Sequence, residues 1–388
     1  MPAITDKLIH RERMLRDFTD IISVDSPSLI ERKTAELLRA KLEAMGLTVH
    51  EDGAAIPAGG DCGNLIAALP GDADLPCVAL LAHMDTVGPC ENKRWIIDGD
   101  IVRSDGNTIL GGDDAAGILA ALEIVRRVKD GGIRHGGIII ILTIAEEVGL
   151  YGAKYLDHEL VKAAACNNAF PDYCFVFDSG GAPGRVIARA PSHSDVLITV
   201  KGIASHAGIE PEKGVSAIVA LSEAIANMKL GRIDAETTSN IGIIRGGNAR
   251  NVVCESAYAE GEVRSHNPAT LDAQLAMMED CVAAACRARG TTYIFEKIQS
   301  YESFLLTPDD PIIKLLSAAA AVRGFELELV PTGGGSDANV LNAAGIPTAN
   351  LPVGMHEVHG VREYTDLRET DGTIELIVET FRVLAKGE

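Results

Sequence analysis

Residues 137–147 read GIIIILTIAEE, and this stretch decides the fold. Its centre, Ile138 to Ile141, contains only β-branched residues, which is typical of a strand covered on both faces of a sheet. A sheet with two buried faces needs a layer of helices on each side. The stretch therefore predicts an α/β/α domain, and it ends on two adjacent acids, Glu146 and Glu147.

The alternation of strand-like and helical segments continues on both sides of this stretch. Short apolar runs predict further strands at residues 64–69, 77–82, 173–177 and 348–351. Apolar residues at helical spacing predict two helices before residue 47 and others over 115–128, 311–322 and 372–385. Strands that alternate with helices indicate a mostly parallel sheet.

A different pattern occupies the middle of the chain, beginning near Pro191. Alternating apolar residues from Val196 predict a strand. A helix, two strands, a second helix and a last strand are predicted at residues 214–228, 241–245, 254–264, 268–289 and 292–298. This β-α-β-β-α-β order is the split unit of a ferredoxin-like α+β domain. We therefore expect an α/β domain formed by residues 1–192 and 304–388, with a smaller domain inserted over 193–303.

The composition narrows the classes of function. The 388 residues are 47% hydrophobic, and 35 Lys and Arg against 55 Asp and Glu give a formal net charge of −20. Such a field repels nucleic acid and anionic membrane surfaces, and it attracts cations. The eight cysteines are dispersed without a CxxC pair, and we find neither a signal-peptide core nor a membrane-spanning run. We expect a cytoplasmic protein.

Chemically reactive side chains stand where the predicted strands end. They are His83, Asp85, Asp113, Asp114, Glu146, Glu147, Asp178 and His359. Taken singly, each has an ordinary alternative, since Asp113 and Asp114 also suit a helix N-terminus and Glu146 with Glu147 also suits an exposed acidic pair. Ligands bind beyond the carboxyl ends of strands in open α/β sheets, so the convergence of these residues on one edge predicts a single site.

The types of side chain indicate a metal centre. Imidazole and carboxylate donors without a thiolate suit zinc, manganese or cobalt(II) in a catalytic site, and one carboxylate can bridge two ions. Such ions lower the pKa of a bound water toward about 7, while an unligated carboxylate takes the proton of that water. The adjacent Glu146 and Glu147 would divide ligation and proton transfer between them.

Eight short motifs run in order along nearly the whole chain. They are Leu81-Ala-His-Met-Asp-Thr-Val, Leu110-Gly-Gly-Asp-Asp-Ala-Ala-Gly, Ala145-Glu-Glu-Val-Gly, Phe177-Asp-Ser-Gly-Gly, Ser205-His-Ala-Gly, Gly246-Gly-Asn-Ala-Arg-Asn-Val-Val, Gly333-Gly-Gly-Ser-Asp and His359-Gly. In this order they resemble the peptidase-T-like branch of the co-catalytic zinc peptidases, a family that also includes carboxypeptidase G and aminoacylase. Two positions depart from the family pattern, because Ala115 replaces a common lysine and Cys254 a common proline.

The resemblance implies a role for each candidate residue. The implied ligands of two divalent ions are Asp113 as the bridge, His83 and Asp178 for one ion, and Glu147 and His359 for the other. Glu146 would be the general base, and Asp85 would orient His83. The ions are expected to be zinc, with manganese or cobalt as alternatives.

The inserted domain acquires a role by the same resemblance. His206 resembles the family histidine that stabilises the oxyanion, commonly in the active site of the neighbouring subunit. Arg264, with Asn251, resembles the group that grips a substrate carboxylate, and a guanidinium pairs with a carboxylate through two hydrogen bonds. Without the resemblance, Arg264 is a solvated strand end and His206 a loop residue. We also expect a homodimer formed through the inserted domain, since an edge strand can pair with its two-fold mate.

The expected activity is that of a metallo-exopeptidase on short peptides, with the specificity of a tripeptide aminopeptidase. In the expected reaction, a metal-bound hydroxide attacks the peptide carbonyl, with Glu146 as the general base that later protonates the leaving amine. A carboxypeptidase or an N-acyl amino acid deacylase would use the same ions, base and arginine, so both remain open.

Two interpretations from other classes compete with this one. Ser336 lies in Gly-Gly-Ser-Asp-Ala with His359 downstream, which suggests a serine hydrolase, but Ala338 stands where the nucleophile elbow needs glycine. A non-catalytic binding protein that kept the fold is the other. Every implied ligand and the base are present, and this favours an enzyme.

Overall fold

The chain forms two compact units, seen in a computed structural model that describes residues 2–387, with side chains from residue 10. The first unit comprises the chain up to Ala188, Leu306–Pro331 and the segment from Ser336 onward. The second comprises Arg189–Leu305 and Thr332–Gly335. The predicted domain limits, 1–192, 193–303 and 304–388, stay a prediction of where the inserted domain begins and ends.

Helices and strands alternate along the first unit. The helices of the described chain are α1 Pro2–Ile22, α2 Arg32–Ala44, α3 Ala55–Ala58, α4 Gly112–Asp130, α5 Tyr151–Lys154, α6 His158–Ala164, α7 Ala217–Asn227, α8 Pro268–Arg289, α9 Pro311–Arg323, α10 Asp337–Ala343 and α11 Leu367–Lys386. The strands are β1 Thr48–Glu51, β2 Leu65–Leu69, β3 Val78–His83, β4 Trp95–Asp98, β5 Ile101–Ser104, β6 Ile138–Thr143, β7 Tyr173–Val176, β8 Arg185–Ala190, β9 Ser192–Lys201, β10 Gly231–Arg232, β11 Thr237–Gly246, β12 Ser256–Ser265, β13 Thr292–Tyr301, β14 Phe304–Leu305, β15 Glu328–Pro331, β16 Thr348–Asn350, β17 Met355–His356 and β18 Tyr364–Asp366.

The large sheet of the first unit has the order β1-β2-β6-β3-β7-β16-β8. Its central strands β6, β3, β7 and β16 are parallel, and the strands outside them run antiparallel. Every residue of β3 and β6 is buried, because α4 packs against β3 while α2 and α6 pack against β2. The α/β class and the buried strand at 138–141 are thereby confirmed.

A smaller antiparallel sheet, β17-β18-β5-β4, also belongs to the first unit. The sequence did not predict it, because its strands have only two to four residues and carry no clear alternation. Strand β18 pairs with β5 through Thr365 and Val102. This pairing matters for the site because β18 begins directly after Glu363.

The second unit is an antiparallel sheet in the order β10-β11-β12-β9-β13, against which α7 and α8 pack. Its chain order β9-α7-β11-β12-α8-β13 is the predicted ferredoxin-like arrangement. Burial alternates along β9, so that Val196, Ile198 and Val200 enter the core while the residues between them are only partly covered. One face of this sheet is therefore more open than the other.

No helix within residues 2–387 combines the length and the hydropathy that a bilayer span requires.

Candidate metal centre

The predicted site residues gather at one edge of the large sheet. His83 ends β3, Asp178 follows β7, and Glu146 and Glu147 follow β6. Because β6, β3 and β7 are parallel neighbours, their carboxyl ends meet at the same edge. Asp113 reaches this edge from the start of α4, where its backbone is not yet helical.

Two groups of potential ligands share Asp113. In the first, donor atoms of His83, Asp113 and Asp178 all lie within 4.8 Å of one another, and His83 Nε2 is 3.1 Å from Asp113 Oδ1. In the second, the donor atoms belong to Asp113, Glu147 and His359. His359 Nε2 lies 3.2 Å from Asp113 Oδ2 and 3.1 Å from Glu147 Oε1. One oxygen of Asp113 thus faces each group, as a bridging carboxylate requires.

The closely placed carboxylates of the cluster make it a favourable binding site for cations. Burial first, and the nearby Asp113 next, raise the pKa of Asp178 to about 8. Burial also raises the pKa of Glu146, with Asp178 as the next cause. Hydrogen bonds to Asp113 and Glu147 raise the pKa of His359 to about 10. Carboxylates that raise one another's pKa lack positive charge, which divalent ions would supply, and the nitrogen and oxygen donors fit zinc, manganese or cobalt.

Asp85 contacts both the candidate ligand His83 and the backbone of the two adjacent glutamates. His83 Nδ1 lies 2.8 Å from the Asp85 backbone oxygen, so a proton on Nδ1 leaves the Nε2 lone pair free for a metal ion. The Asp85 carboxylate is fully buried, and it accepts hydrogen bonds from the backbone N–H of Glu146 at 2.9 Å and of Glu147 at 3.2 Å. Ser28 Oγ donates a third, at 2.7 Å. Toward His83 this carboxylate places Oδ1 3.4 Å from Nδ1, so the orienting role predicted for Asp85 stays a prediction.

Asp114 belongs to neither ligand group. Its carboxylate accepts hydrogen bonds from the backbone N–H of His83 at 3.2 Å and of Gly117 at 2.9 Å. It therefore links the end of β3 to the first turn of α4, which is the helix-capping role considered for it from the sequence.

Three buried polar residues that the sequence analysis missed hold the backbone of the site. Glu363 accepts hydrogen bonds from the loop that carries Asp113. Asn350 grips the Asp178 backbone, accepting from its N–H at 3.1 Å and donating to its carbonyl oxygen at 2.7 Å. Glu31 accepts from the N–H of Ala145 at 3.0 Å. The only sequence signals were the spacing of four residues between His359 and Glu363 and the place of Asn350 in a predicted strand.

A third group of potential ligands, Glu31, Asp61 and Cys62, shares no residue with these two. Asp61 is exposed, and its Oδ1 accepts a hydrogen bond from the N–H of Arg32 at the start of α2. Glu31 Oε1 accepts from two backbone N–H groups. Because both carboxylates already accept hydrogen bonds from backbone N–H groups, we assign no metal to this group.

The candidate residues of the second unit fall into two places. The loops of His206 and Asn251 lie together, since His206 forms a β-bridge with Val252 and the N–H of Ala207 donates to the Asn251 oxygen at 2.9 Å. Both side chains are exposed. Strand β12 begins at Ser256, beyond which these loops lie, and Arg264 stands eight residue steps further along the strand, roughly 27 Å from Ser256. The structure does not bring Arg264 and Asn251 of one chain together.

The guanidinium group of Arg264 is only partly hydrogen-bonded. Its Nη2 donates to Glu262 Oε2 at 3.0 Å, and its buried Nε has no hydrogen-bond acceptor. His193 lies opposite Arg264 in the register of β9 and β12, and its Nε2 is 3.4 Å from the same oxygen of Glu262. An unpartnered guanidinium N–H can donate a hydrogen bond to a further carboxylate.

Ser336 has a structural role. It precedes α10 as the N-cap residue of a capping box with Asn339, and its hydroxyl accepts a hydrogen bond from Asn350 at 3.1 Å. His359, the base that a serine hydrolase would need, points its Nε2 at Asp113 and Glu147 instead. This arrangement gives the serine-hydrolase interpretation no support.

A family model described as peptidase family M20/M25/M40 matches residues 79–383. Among curated proteins, the uncharacterised protein YqjE of Bacillus subtilis is 37% identical over 98% of this chain and 100% of its own length. Among solved structures, an aminopeptidase PepT from Bacillus cereus is 37% identical with a TM-score of 0.85, covering 97% of this chain and 99% of that one. A tripeptidase from Staphylococcus aureus is 32% identical with a TM-score of 0.88 and the same coverage.

Proposed function

The chain belongs to the M20/M25/M40 peptidase family, and on this premise we propose that it is a two-metal aminopeptidase that removes the N-terminal residue from tripeptides. The observation that carries the proposal is the pair of ligand groups that share Asp113, with Glu146 beside them and outside both. The similar proteins from Bacillus cereus and Staphylococcus aureus, an aminopeptidase PepT and a tripeptidase, support the choice of substrate.

The proposed ligands are those implied by the sequence: His83 and Asp178 at one position, Glu147 and His359 at the other, and Asp113 between them. We propose zinc, with manganese or cobalt as alternatives that the donor atoms also accept. Two such ions, when bound, polarise a peptide carbonyl and make water acidic enough to be deprotonated near neutral pH.

Glu146 is the proposed general base. It is 8% exposed, and the bond from its N–H to Asp85 fixes its backbone beside Glu147. Its carboxylate joins neither ligand group, so it is available to take the proton of the attacking water and to return it to the leaving amine.

We propose that the substrate is held by Arg264 through its carboxylate, and that His206 and Asn251 come from a second copy of the chain. An extended tripeptide spans only about 10 Å. It therefore cannot reach from Arg264 to the loops beyond Ser256 in one second unit, since Arg264 and Ser256 are already roughly 27 Å apart along β12. A homodimer supplies both sets of residues to one substrate.

The second unit offers a surface for such a dimer. Strand β10 pairs only with Thr238 and Ser239 of β11, so the rest of that edge has no strand beside it within the described chain. Ile243 and Ile244 on β11 are exposed, as are Ile218 and Val219 on α7. An open edge beside apolar side chains suits pairing with a two-fold mate. Sedimentation should give a dimer for the wild type, and a 41.0 kDa species at micromolar concentration would contradict it.

The test of the reaction uses metal-stripped protein with and without added zinc, manganese or cobalt. The substrates are a tripeptide, its N-acetylated form and its C-terminal amide. We expect metal-dependent release of the N-terminal residue from the free tripeptide. Cleavage of the acetylated form instead would be consistent with the metal centre but would identify the activity as that of a carboxypeptidase or an N-acyl amino acid deacylase. Activity without metal would overturn the proposal.

Glu146→Gln separates proton transfer from metal binding. We expect turnover to fall by about two to four orders of magnitude while the bound metal stays near the wild-type amount. Glu159→Gln, at an exposed acid of α6, is the matched control and should change neither. Full activity in the Glu146 variant would refute its role as the base.

We also propose a cytoplasmic location. All eight cysteines are free thiols, which suits a reducing compartment.

A further inference from the structure

Glu363 is a fully buried carboxylate in the first unit that touches the loop of the shared ligand. It is 1% exposed. Its Oε2 accepts hydrogen bonds from the N–H groups of Leu110 at 2.7 Å and Gly111 at 2.9 Å. Its Oε1 accepts from the N–H of Asp113 at 3.0 Å. Three backbone N–H groups of the segment 110–113 therefore donate hydrogen bonds to the same carboxylate.

The segment also fits tightly against Glu363. A Cβ atom at Gly112 would lie 3.1 Å from Glu363 Oε1 and 2.4 Å from Thr365 Oγ1. Only glycine leaves room for the loop to approach both oxygens. The close approach and the three hydrogen bonds are separate observations, and both fix the path of the backbone into Asp113.

Glu363 is itself anchored on both sides. Its N–H donates to the Gly360 oxygen at 3.1 Å, and its own backbone oxygen accepts from the N–H of Ser104 at 3.0 Å. It directly precedes β18, which pairs with β5. It also lies four residues after His359, so one short segment carries a proposed ligand and the acceptor that holds the loop of another.

We propose that Glu363 is a positioning residue, which holds the Asp113 backbone so that one carboxylate oxygen of Asp113 faces each ligand group. It also keeps Asp113 and His359 in a fixed position relative to each other. Glu363 touches no ligand atom and acts through the backbone. This inference rests on the proposed two-metal function. Outer residues that orient ligands change metal affinity about 10- to 100-fold when they are replaced.

Glu363→Gln is the first variant. It replaces one acceptor oxygen by an NH2 group that faces backbone donors, so at least one N–H of the loop loses its partner. Zinc affinity is measured by competition with a chromophoric chelator, and the cobalt-loaded protein is examined by its visible absorption. We expect affinity to fall 10- to 100-fold and the cobalt spectrum to change.

Glu123→Gln is the matched control for a loss of stability alone. Glu123 is also fully buried, but it bonds to Arg13 and Arg127 rather than to the ligand loop. We expect it to lower the unfolding midpoint without changing zinc affinity. Gly112→Ala is the second test variant, because it disturbs the same contact while leaving Glu363 in place, and it should weaken zinc binding as well.

The outcomes separate this inference from the proposed function. Unchanged zinc affinity and cobalt spectrum in folded Glu363→Gln and Gly112→Ala would overturn the positioning role alone. Equal loss of affinity in Glu123→Gln would overturn it too, by assigning the effect to stability. A wild type that binds no divalent ion would overturn both, whereas metal binding without tripeptide cleavage would contradict only the proposed reaction.

Discussion

The two sheets of this protein differ in how their faces are used. Both faces of β3 and β6 in the first unit are buried, and the reactive side chains stand at the strand ends, packed among one another. In the second unit burial alternates along β9, and the candidate residues His206 and Asn251 are exposed. The first arrangement fixes charges in place at a cost in solvation, and the second leaves side chains free to meet a substrate or another chain. Changes in the first unit should therefore affect metal and turnover, and changes in the second should affect recognition.

The largest effect is expected from Asp113→Asn in the first unit. An amide cannot bridge two cations as a carboxylate does, so turnover should fall by about three orders of magnitude or more and the bound metal should drop. Metal analysis and tripeptide hydrolysis measure both. Asp157→Asn, at the N-cap of α6, is the control that should keep metal and activity. Retention of two ions per chain in the Asp113 variant would contradict the bridge.

Core substitutions sharpen the contrast between the sheets. Ile139 and Ile140 are neighbours on β6 and both fully buried, so changing either to Ala should lower the free energy of unfolding by about 2–5 kcal/mol. On β9, Ile198→Ala should cost a similar amount, but the partly exposed Leu197→Ala should cost about 1 kcal/mol. Chemical denaturation compares the four variants. Equal costs for the two β9 variants would break the comparison.

The stability contributions of a buried acid in the first unit, Glu31, and a half-buried acid in the second, Glu262, should respond to pH with opposite sign. Burial raises the pKa of Glu31 to about 7, so its contribution to stability is complete below about 4.5 and is lost as the pH rises toward 7. The difference in unfolding free energy between wild type and Glu31→Gln should therefore fall by up to about 3 kcal/mol between pH 4.5 and 8.

In the second unit, the nearby His193 first, together with Arg264, lowers the pKa of Glu262 to about 2 against the effect of burial. Its contribution is present above the unfolded pKa and is lost as the pH falls toward 2, so Glu262→Gln should show the opposite slope. Denaturation at a series of pH values measures each variant against wild type. Slopes of the same sign would contradict the assignment.

The smallest effect is expected from Arg264→Lys. A lysine cannot form two parallel hydrogen bonds to a carboxylate, so KM for a tripeptide should rise about tenfold with little change in kcat. The C-terminal amide should be affected much less, because it offers no charge. Arg232→Lys, on the exposed β10, is the matched control. An equal rise in KM for acid and amide would show that Arg264 does not bind the carboxylate.

The two departures from the family pattern are accommodated locally. Ala115 is buried in the first turns of α4. Cys254 is also buried, and its Sγ donates to the Ser256 oxygen at 3.0 Å. Neither position supplies an atom to the ligand groups.

The local patterns of the sequence predicted nearly every long element. The helix predicted at 268–289 has those bounds, and the strand predicted at 173–177 is observed as Tyr173–Val176. The helix predicted at 372–385 begins earlier, at Leu367, because the Asp366 side chain caps its first turn. Periodicity is a property of residues that are close in the sequence, so it can be recognised without a structure.

By itself the sequence predicted the kinds of candidate ligand and their order, because histidines and acids at strand ends can be recognised where they stand. Only the tertiary structure decided which buried side chains hold the backbone of these candidate ligands, and that Arg264 and Asn251 of one chain lie apart. Glu363 and Asp113 are 250 residues apart in the chain, and Asn350 and Asp178 are 172 apart. Hydrogen bonds over such separations arise from strand pairing and close packing, which leave no periodic trace in the sequence.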